Sequence, residues 1–485
     1  MITFSRTAIR PSHCLIAIFL LVSRHFPALP TYAQEPSPCT RQPCHSVLPD
    51  TLMSTGLPLV VVTTVDNEEP TFDLAYPPEG SAGKGITNVT KVPGRVMVIL
   101  RGDTLFDSGE YARDSAGMTI RVRGNSSAWS IKHPFKIKLQ RKGDMLRRGD
   151  ERYADKNWVL IYEDPHSLSN AVARQVCRML RMEYVPSGEY VNLLFNGDYR
   201  GLYFLSESVS RNPSCRIDVD KLKGYIIELD PYWWNEEVWF ETTLTRGSPF
   251  RRYTFKHPDG ENVTEEQVEY ISAVMSAVEE SLMDGTYSDL IDVESFVEWI
   301  LAHDILGTWD SMGSNTFLTK HDDTRNSKVR LGPPWDFDTV MMMDGEWSRM
   351  HDMMLFPWFW GEGPDGQFTR MYYMQLEDVR GWLFDAMADW AGDFLKTETA
   401  KGIDRSRRYD SARWGIEYRT VGEDVGRICD WFRTRKAWAG STVSIPTPCQ
   451  ESVPRPSAVY DVQGKISPPR HKSIYIKNGR KFVNK

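Results

Sequence analysis

Residues 307–338 hold Asp310, then Asn315 five positions later, then Asp336 within Trp335-Asp336-Phe337-Asp338. Phosphoryl transfer uses this order: an Asp to orient the acceptor hydroxyl, then an Asn and a second Asp to hold Mg2+. The reaction asks for positioned metal and charge more than for covalent chemistry. Oxygen-bearing side chains on two strands joined by a turn therefore suit it. Surface loops carry the same residue types, so the spacing alone does not separate the two readings. Asp338 shares a face with Asp336 if this piece is extended, and a turn carboxylate is the alternative there. Asp304, near the end of a helical pattern, is a weaker rival for Asp310.

The elements upstream supply cations. Met118-Thr119-Ile120-Arg121-Val122-Arg123 alternates apolar and polar residues. It turns at Gly124-Asn125-Ser126-Ser127 and returns as Phe135-Lys136-Ile137-Lys138-Leu139, a hairpin with one wet face. Backbone N–H groups and hydroxyls of that turn could face phosphates, although an ordinary hairpin turn explains it equally and no G-x-G-x-x-G is present. Lys132, Lys136 and Lys138 lie on or beside the return strand, with Lys136 and Lys138 on one face. A strand lysine can neutralise α/β-phosphate charge. Lys138 lies deepest in the strand and is preferred, a solvated strand face being the alternative.

Further strands are expected at 59–65, 95–100, 190–195, 203–205 and 224–229, with Asn196-Gly197 as a type I′ hairpin turn. Helices are expected at 167–180, 265–283, 293–305, 369–396 and 422–437, with Thr264 and Gln267 placed as a capping box. The chain is thus strand-rich first and helix-rich later. The tail from Ser441 reads as a linker followed by a small cationic β appendage.

With 41% hydrophobic and 12% aromatic residues in 485, the chain can build a large core. A formal charge of −7 argues against nucleic-acid binding. Arg6 and Arg10, the apolar run 14–22 and Thr31-Tyr32-Ala33 read as an export leader over 1–33, followed by a linker over 34–58. No membrane span is expected in the mature chain. Of seven cysteines, Cys14 leaves with the leader and six remain, which allow fifteen pairings. Cys39 and Cys44 are close enough to close a small loop, and Cys177 fits a buried thiol.

Several motifs occur together and in order: Arg123–Ser127, Lys132–Leu139, Asn157-Trp158-Val159-Leu160, 196–203, Glu207 and Trp335–Asp338. This set resembles the CotH family of spore-coat-type atypical protein kinases, over about residues 95–440, with 59–94 as a β-rich extension. The tail resembles the C-terminal β segment that ends many exported proteins of Bacteroidetes-type bacteria. The resemblance implies an α+β, divergent protein-kinase-like fold that uses ATP and Mg2+ or Mn2+ to phosphorylate Ser or Thr of a protein acceptor, outside the cytoplasm or at the cell surface. It implies Asp310 as the catalytic residue, Arg123, Asn125, Lys136, Lys138, Glu207 and Glu228 as nucleotide contacts, and Asn315, Asp336 and Asp338 as metal ligands. Glu207 would pair the strand lysine. The chain departs from ordinary kinases in lacking a glycine-rich loop, in having Asp338 where Asp-Phe-Gly places glycine, and in lacking a Glu on helix 167–180. A catalytically inactive surface module with the same fold is the competing class.

Overall fold

The computed structural model describes residues 47, 49–79, 81, 83–162, 167–247, 251–308, 314–338, 340–341, 359–360 and 366–443, and the backbone of short strands within 460–483. The first part is dominated by one sheet. Its strands are β1 (Leu59–Thr64), β4 (Val92–Leu100), β5 (Asp103–Asp107), β6 (Met118–Val122), β7 (Phe135–Gly143), β8 (Asp155–Tyr162), β9 (Gly188–Phe195) and β10 (Asp198–Glu207), while β2 (Asp73–Ala75) and β3 (Gly85–Thr87) form a separate pair. The order is β1-β9-β10-β8-β7-β6-β4, and β4 returns to pair with β1, so the sheet closes into a barrel with β5 added along β4. Closure removes the exposed edges that an open sheet would offer to other chains. Only the β1–β9 pairing in this ring is parallel.

Strand alternation fills the barrel. Val60, Val96, Ile120, Ile137, Trp158, Leu193 and Leu205 point inward and are fully buried. Asn196 and Gly197, at φ 48° and 77°, make the expected tight turn between β9 and β10. The stretch 49–58, read from sequence as linker, contains helix α1 (Pro49–Met53), and Leu52 and Leu57 are buried. The β1 strand, read as part of an extension, is an integral stave of the barrel.

The second part joins a five-stranded antiparallel sheet to helices. The sheet runs β12 (Trp239–Phe240), β13 (Arg252–His257), β11 (Tyr225–Asp230), β14 (Thr316–Lys320), β15 (Val329–Leu331). The helices are α2 (Ser169–Met179), α3 (Glu265–Asp284), α4 (Val293–Leu306), α5 (Gln367–Arg380), α6 (Leu383–Leu395), α7 (Glu398–Trp414) and α8 (Val421–Val443). One sheet face, with Ile227, Leu229, Phe255 and Leu318, packs into the main core beside Ile271, Trp299 and Ile300. The other face turns to the barrel, where Phe317 meets Val159 and Trp335.

Thr264 and Gln267 form the capping box that starts α3. The expected helix 369–396 is two helices, separated at Gly381 and Trp382. Strands β14 and β15 are the two strands joined by a turn expected within 307–338, whereas helix α7 and strand β13 were not foreseen, because short runs such as Arg252–His257 gain their stability from partners distant in sequence. Three tail strands, β16 (Tyr460–Asp461), β17 (Ile474–Lys477) and β18 (Arg480–Val483), form an antiparallel sheet where the tail strands were expected. Cys177, Cys215 and Cys429 are free thiols. Cys39, Cys44, Cys449 and the stretch 1–33 expected as an export leader lie outside the described residues. Among the described residues no helix is long and apolar enough to cross a membrane.

Candidate functional site

The register of β7 decides which lysine enters the site. Phe135, Ile137 and Leu139 point into the barrel, so Lys136 and Lys138 project from its outer wall. Lys136 pairs across the ladder with Arg121 on one side and Val159 on the other. Val159 is the residue that Phe317 and Trp335 cover, so Lys136 lies at the junction of barrel and second sheet. Lys138, one step further along, is exposed. Lys132 is buried elsewhere, with its Nζ 2.7 Å from Asp410 of α7 and between the rings of Tyr162 and Tyr203.

The facing wall is β11 and β13. Glu228 and Asp230 occupy alternate positions of β11, hence one face, and both are buried. Lys256 lies 3.0 Å from Glu228 Oε2 and 3.5 Å from Glu236 Oε1. Asp230 accepts hydrogen bonds from the Tyr232 N–H at 2.7 Å and the Thr254 hydroxyl at 3.1 Å. Burial, then the neighbouring Glu228, push the Asp230 carboxyl up to about 7 against the opposing pull of Lys256. Burial works against the Lys256 ammonium too, but Glu228, Glu236 and Asp230 outweigh it and hold its proton more tightly than usual.

Arg123 joins the two walls. Its guanidinium stands 5.8 Å from the Trp335 ring and feels the carboxylates of Asp336 and Glu228, while burial and Arg121 pull its affinity for the proton down. Lys136 is pushed down to about 8, first by burial, then by Arg121, with Lys256 and Arg123 adding to the effect and Asp259 opposing it. Among the described residues, none of Arg121, Arg123 and Lys136 has an ion-pair partner. Three cations therefore line one wall without a direct ion pair among the described residues.

Asn315 and Asp336 both adopt the left-handed backbone region, at φ 58° and 61°. Asn and Asp tolerate it better than other non-glycine residues, and such conformations concentrate at functional sites. Asn315 immediately precedes β14, whose first residue Thr316 pairs with Leu229, so it sits at the sheet end where Asp230 lies. The left-handed turn corrects the expectation that Asp336 and Asp338 share a strand face. Residues 332–337 form no strand, Asp336 is half-buried and Asp338 is exposed. Asp310 lies outside the described residues. Asp304 is fully buried in α4 and accepts a 2.6 Å hydrogen bond from Tyr372, a structural setting.

Glu207 goes elsewhere. It pairs with Trp158, which pairs with Ile137, and paired residues share a face, so Glu207 points into the barrel. There it meets Arg148 Nη1 at 2.8 Å, Arg216 Nε at 3.8 Å and the Ser187 N–H at 2.8 Å. It cannot reach a lysine on the outer wall, and Arg148 and Arg216 take the place expected for that lysine. Asn125 opens a short 3-10 turn, Ser126–Trp129, without capping it. Its side-chain oxygen lies 3.4 Å from the point where a Cβ on Gly85 would sit, while Trp129 Nε1 donates to the Gly85 carbonyl at 3.0 Å. This turn is therefore backed by β3.

Arg121, Asp230, Glu236 and Lys256 were not singled out from sequence. Arg121 alone carried a signal, its alternation with Arg123 on the wet face of the hairpin; Asp230 and Lys256 reach the cleft only through sheet pairing, and Glu236 through its contact with Lys256. A closed barrel joined to a sheet-and-helix body, with cations on one wall and carboxylates on the other, defines a protein of mixed helices and sheets with a charged cleft at their junction. The family description CotH kinase protein matches residues 120–376, more than half the chain, and the chain belongs to that family. A search of curated proteins finds no match.

Proposed function

We propose that the protein is an exported protein kinase that uses ATP and Mg2+ or Mn2+ to phosphorylate Ser or Thr of a protein acceptor. One observation carries the reading: Arg121, Arg123 and Lys136 stand unpaired on one wall of a cleft whose other wall holds Glu228, Asp230 and Asp336. Like charges at close range without direct ion pairs are unfavourable, and a triphosphate would relieve all three at once. Family membership supplies the kinase class.

The donors fit a hard divalent cation. Asn315 and Asp336 offer oxygen, and Mg2+ is commonly held by one or two carboxylates together with substrate phosphates and water. Bound there, the cation would neutralise charge on the β- and γ-phosphate oxygens. Arg121, Arg123 and Lys136 hold the phosphates, and the Glu228–Lys256 pair fixes the opposite wall. Asp310 takes the proton of the acceptor hydroxyl. The leader over 1–33 supports export.

Transfer of label from γ-labelled ATP to generic protein acceptors, with Mg2+ or Mn2+ and the full chain, tests the reading. Nucleotide-dependent stabilisation without transfer would favour the inactive-module class. Neither stabilisation nor transfer would remove the nucleotide reading altogether.

A further inference from the structure

A cavity of about 270 Å3 opens between α4, the β14–β15 hairpin and the loops that precede β9 and β11. None of the charged groups on its walls belongs to the phosphate cleft. Two of its wall residues carry unmet polar demands. The Arg216 side chain is fully buried, lies 3.2 Å from Asp155 and 3.8 Å from Glu207, and its Nη1 donates to the Asn157 carbonyl and the Ser210 hydroxyl, both at 2.9 Å, yet its Nη2 has no acceptor among the described residues. Glu298 on α4 has neither a hydrogen bond nor an ion pair among the described residues. The nearby Arg330 is committed, lying 2.7 Å from Glu183 and also bonded to Asp292.

A buried donor left without an acceptor is unfavourable, and native structures rarely keep one without a reason; Glu298 adds a half-buried carboxyl without a partner among the described residues. One small molecule carrying an anion and a cation would satisfy both. The volume lies just below the ~300–1,000 Å3 typical of sites for drug-sized ligands, so the occupant is small. We infer that this cavity binds a zwitterion of the α-amino-acid class, its carboxylate on Arg216 and its ammonium on Glu298. Burial, then Glu294, push the Glu298 carboxyl up to about 8, with Asp292 and Glu183 adding and Arg330 opposing. A bound ammonium would relieve that cluster of acids. Gly332, Pro333 and Pro334 also line the cavity and lead directly into Trp335 and Asp336, so the occupant touches the segment that presents Asp336.

Calorimetric titration of the full chain with glycine, L-alanine, L-glutamate and L-lysine, with methylamine and acetate as controls, tests the site. The expected result is saturable binding of at least one amino acid and of neither control. Glu298→Gln should weaken that binding about 10- to 100-fold, whereas Asp336→Asn should leave it unchanged, separating this site from phosphate transfer. Lack of binding by every amino acid, or methylamine binding as tightly as any of them, overturns the inference without any variant. Equal affinity in a folded Glu298→Gln protein overturns it as well.

Discussion

Replacing Lys136 by Met should stabilise the protein and weaken its hold on nucleotide. Burial and the neighbouring Arg121 bring this lysine from 10.5 to about 8. Keeping it charged in the folded state at neutral pH therefore costs roughly 3 kcal/mol, and the water that reaches a half-buried side chain trims this to roughly 1–2 kcal/mol. The folded state releases its proton more readily than the unfolded state. The cost is thus fully present below pH 8 and fades as pH rises towards 10.5. Lys136→Met should raise the midpoint of urea unfolding at pH 7, and the gain should shrink by pH 10. ATP binding should show the opposite sign. A phosphate beside Lys136 restores its proton, so wild-type affinity should fall about tenfold per pH unit above pH 8, and the variant should bind more weakly with a flatter profile. A Lys136→Met protein that is less stable, yet binds ATP with the wild-type pH profile, would refute the assignment, because a purely structural lysine behaves that way.

Asp336→Asn should abolish both metal-dependent nucleotide stabilisation and label transfer, read by thermal shift and by γ-labelled ATP. Asp310→Asn should leave nucleotide binding close to wild type while transfer falls ~10²–10⁴-fold; wild-type transfer by this variant removes Asp310 from the mechanism. Lys256→Met strands Glu228 and Asp230 as neighbouring buried acids and should cost about 3 kcal/mol in urea unfolding, with Glu228→Gln in the same chain recovering part of the loss. Glu207→Gln should also destabilise, by about 3 kcal/mol, since Arg148 and Arg216 lose their shared carboxylate inside the barrel. Its folded fraction should bind ATP normally, and a selective loss of nucleotide affinity would return Glu207 to the site.

Local pattern was enough for much of the architecture. The alternation 118–123 and 135–139 specified the β6–β7 hairpin, Asn196-Gly197 its tight-turned neighbour, and Thr264 with Gln267 the start of α3. It also placed Arg123 and Lys136 on an outward face, because side-chain direction along a strand repeats every two residues whatever the strand packs against. What the face would meet was not legible. Lys136 rather than Lys138 lines the cleft because Phe317 and Trp335 cover Val159, its neighbour across the ladder. Glu207 was drawn to a lysine by the family resemblance, yet the register Glu207, Trp158, Ile137 turns it inward to two arginines. Asp230 and Lys256 became part of the cleft only when β11 paired with β13, and Glu236 joined through its contact with Lys256. Asp336 parted from Asp338 through a single left-handed residue. Periodicity and turn chemistry are properties of neighbours in sequence and can be read there. Strand partners, the face a second sheet covers and the charge that gathers in the gap depend on contacts between distant residues, and only the closed barrel and its docked sheet decide them.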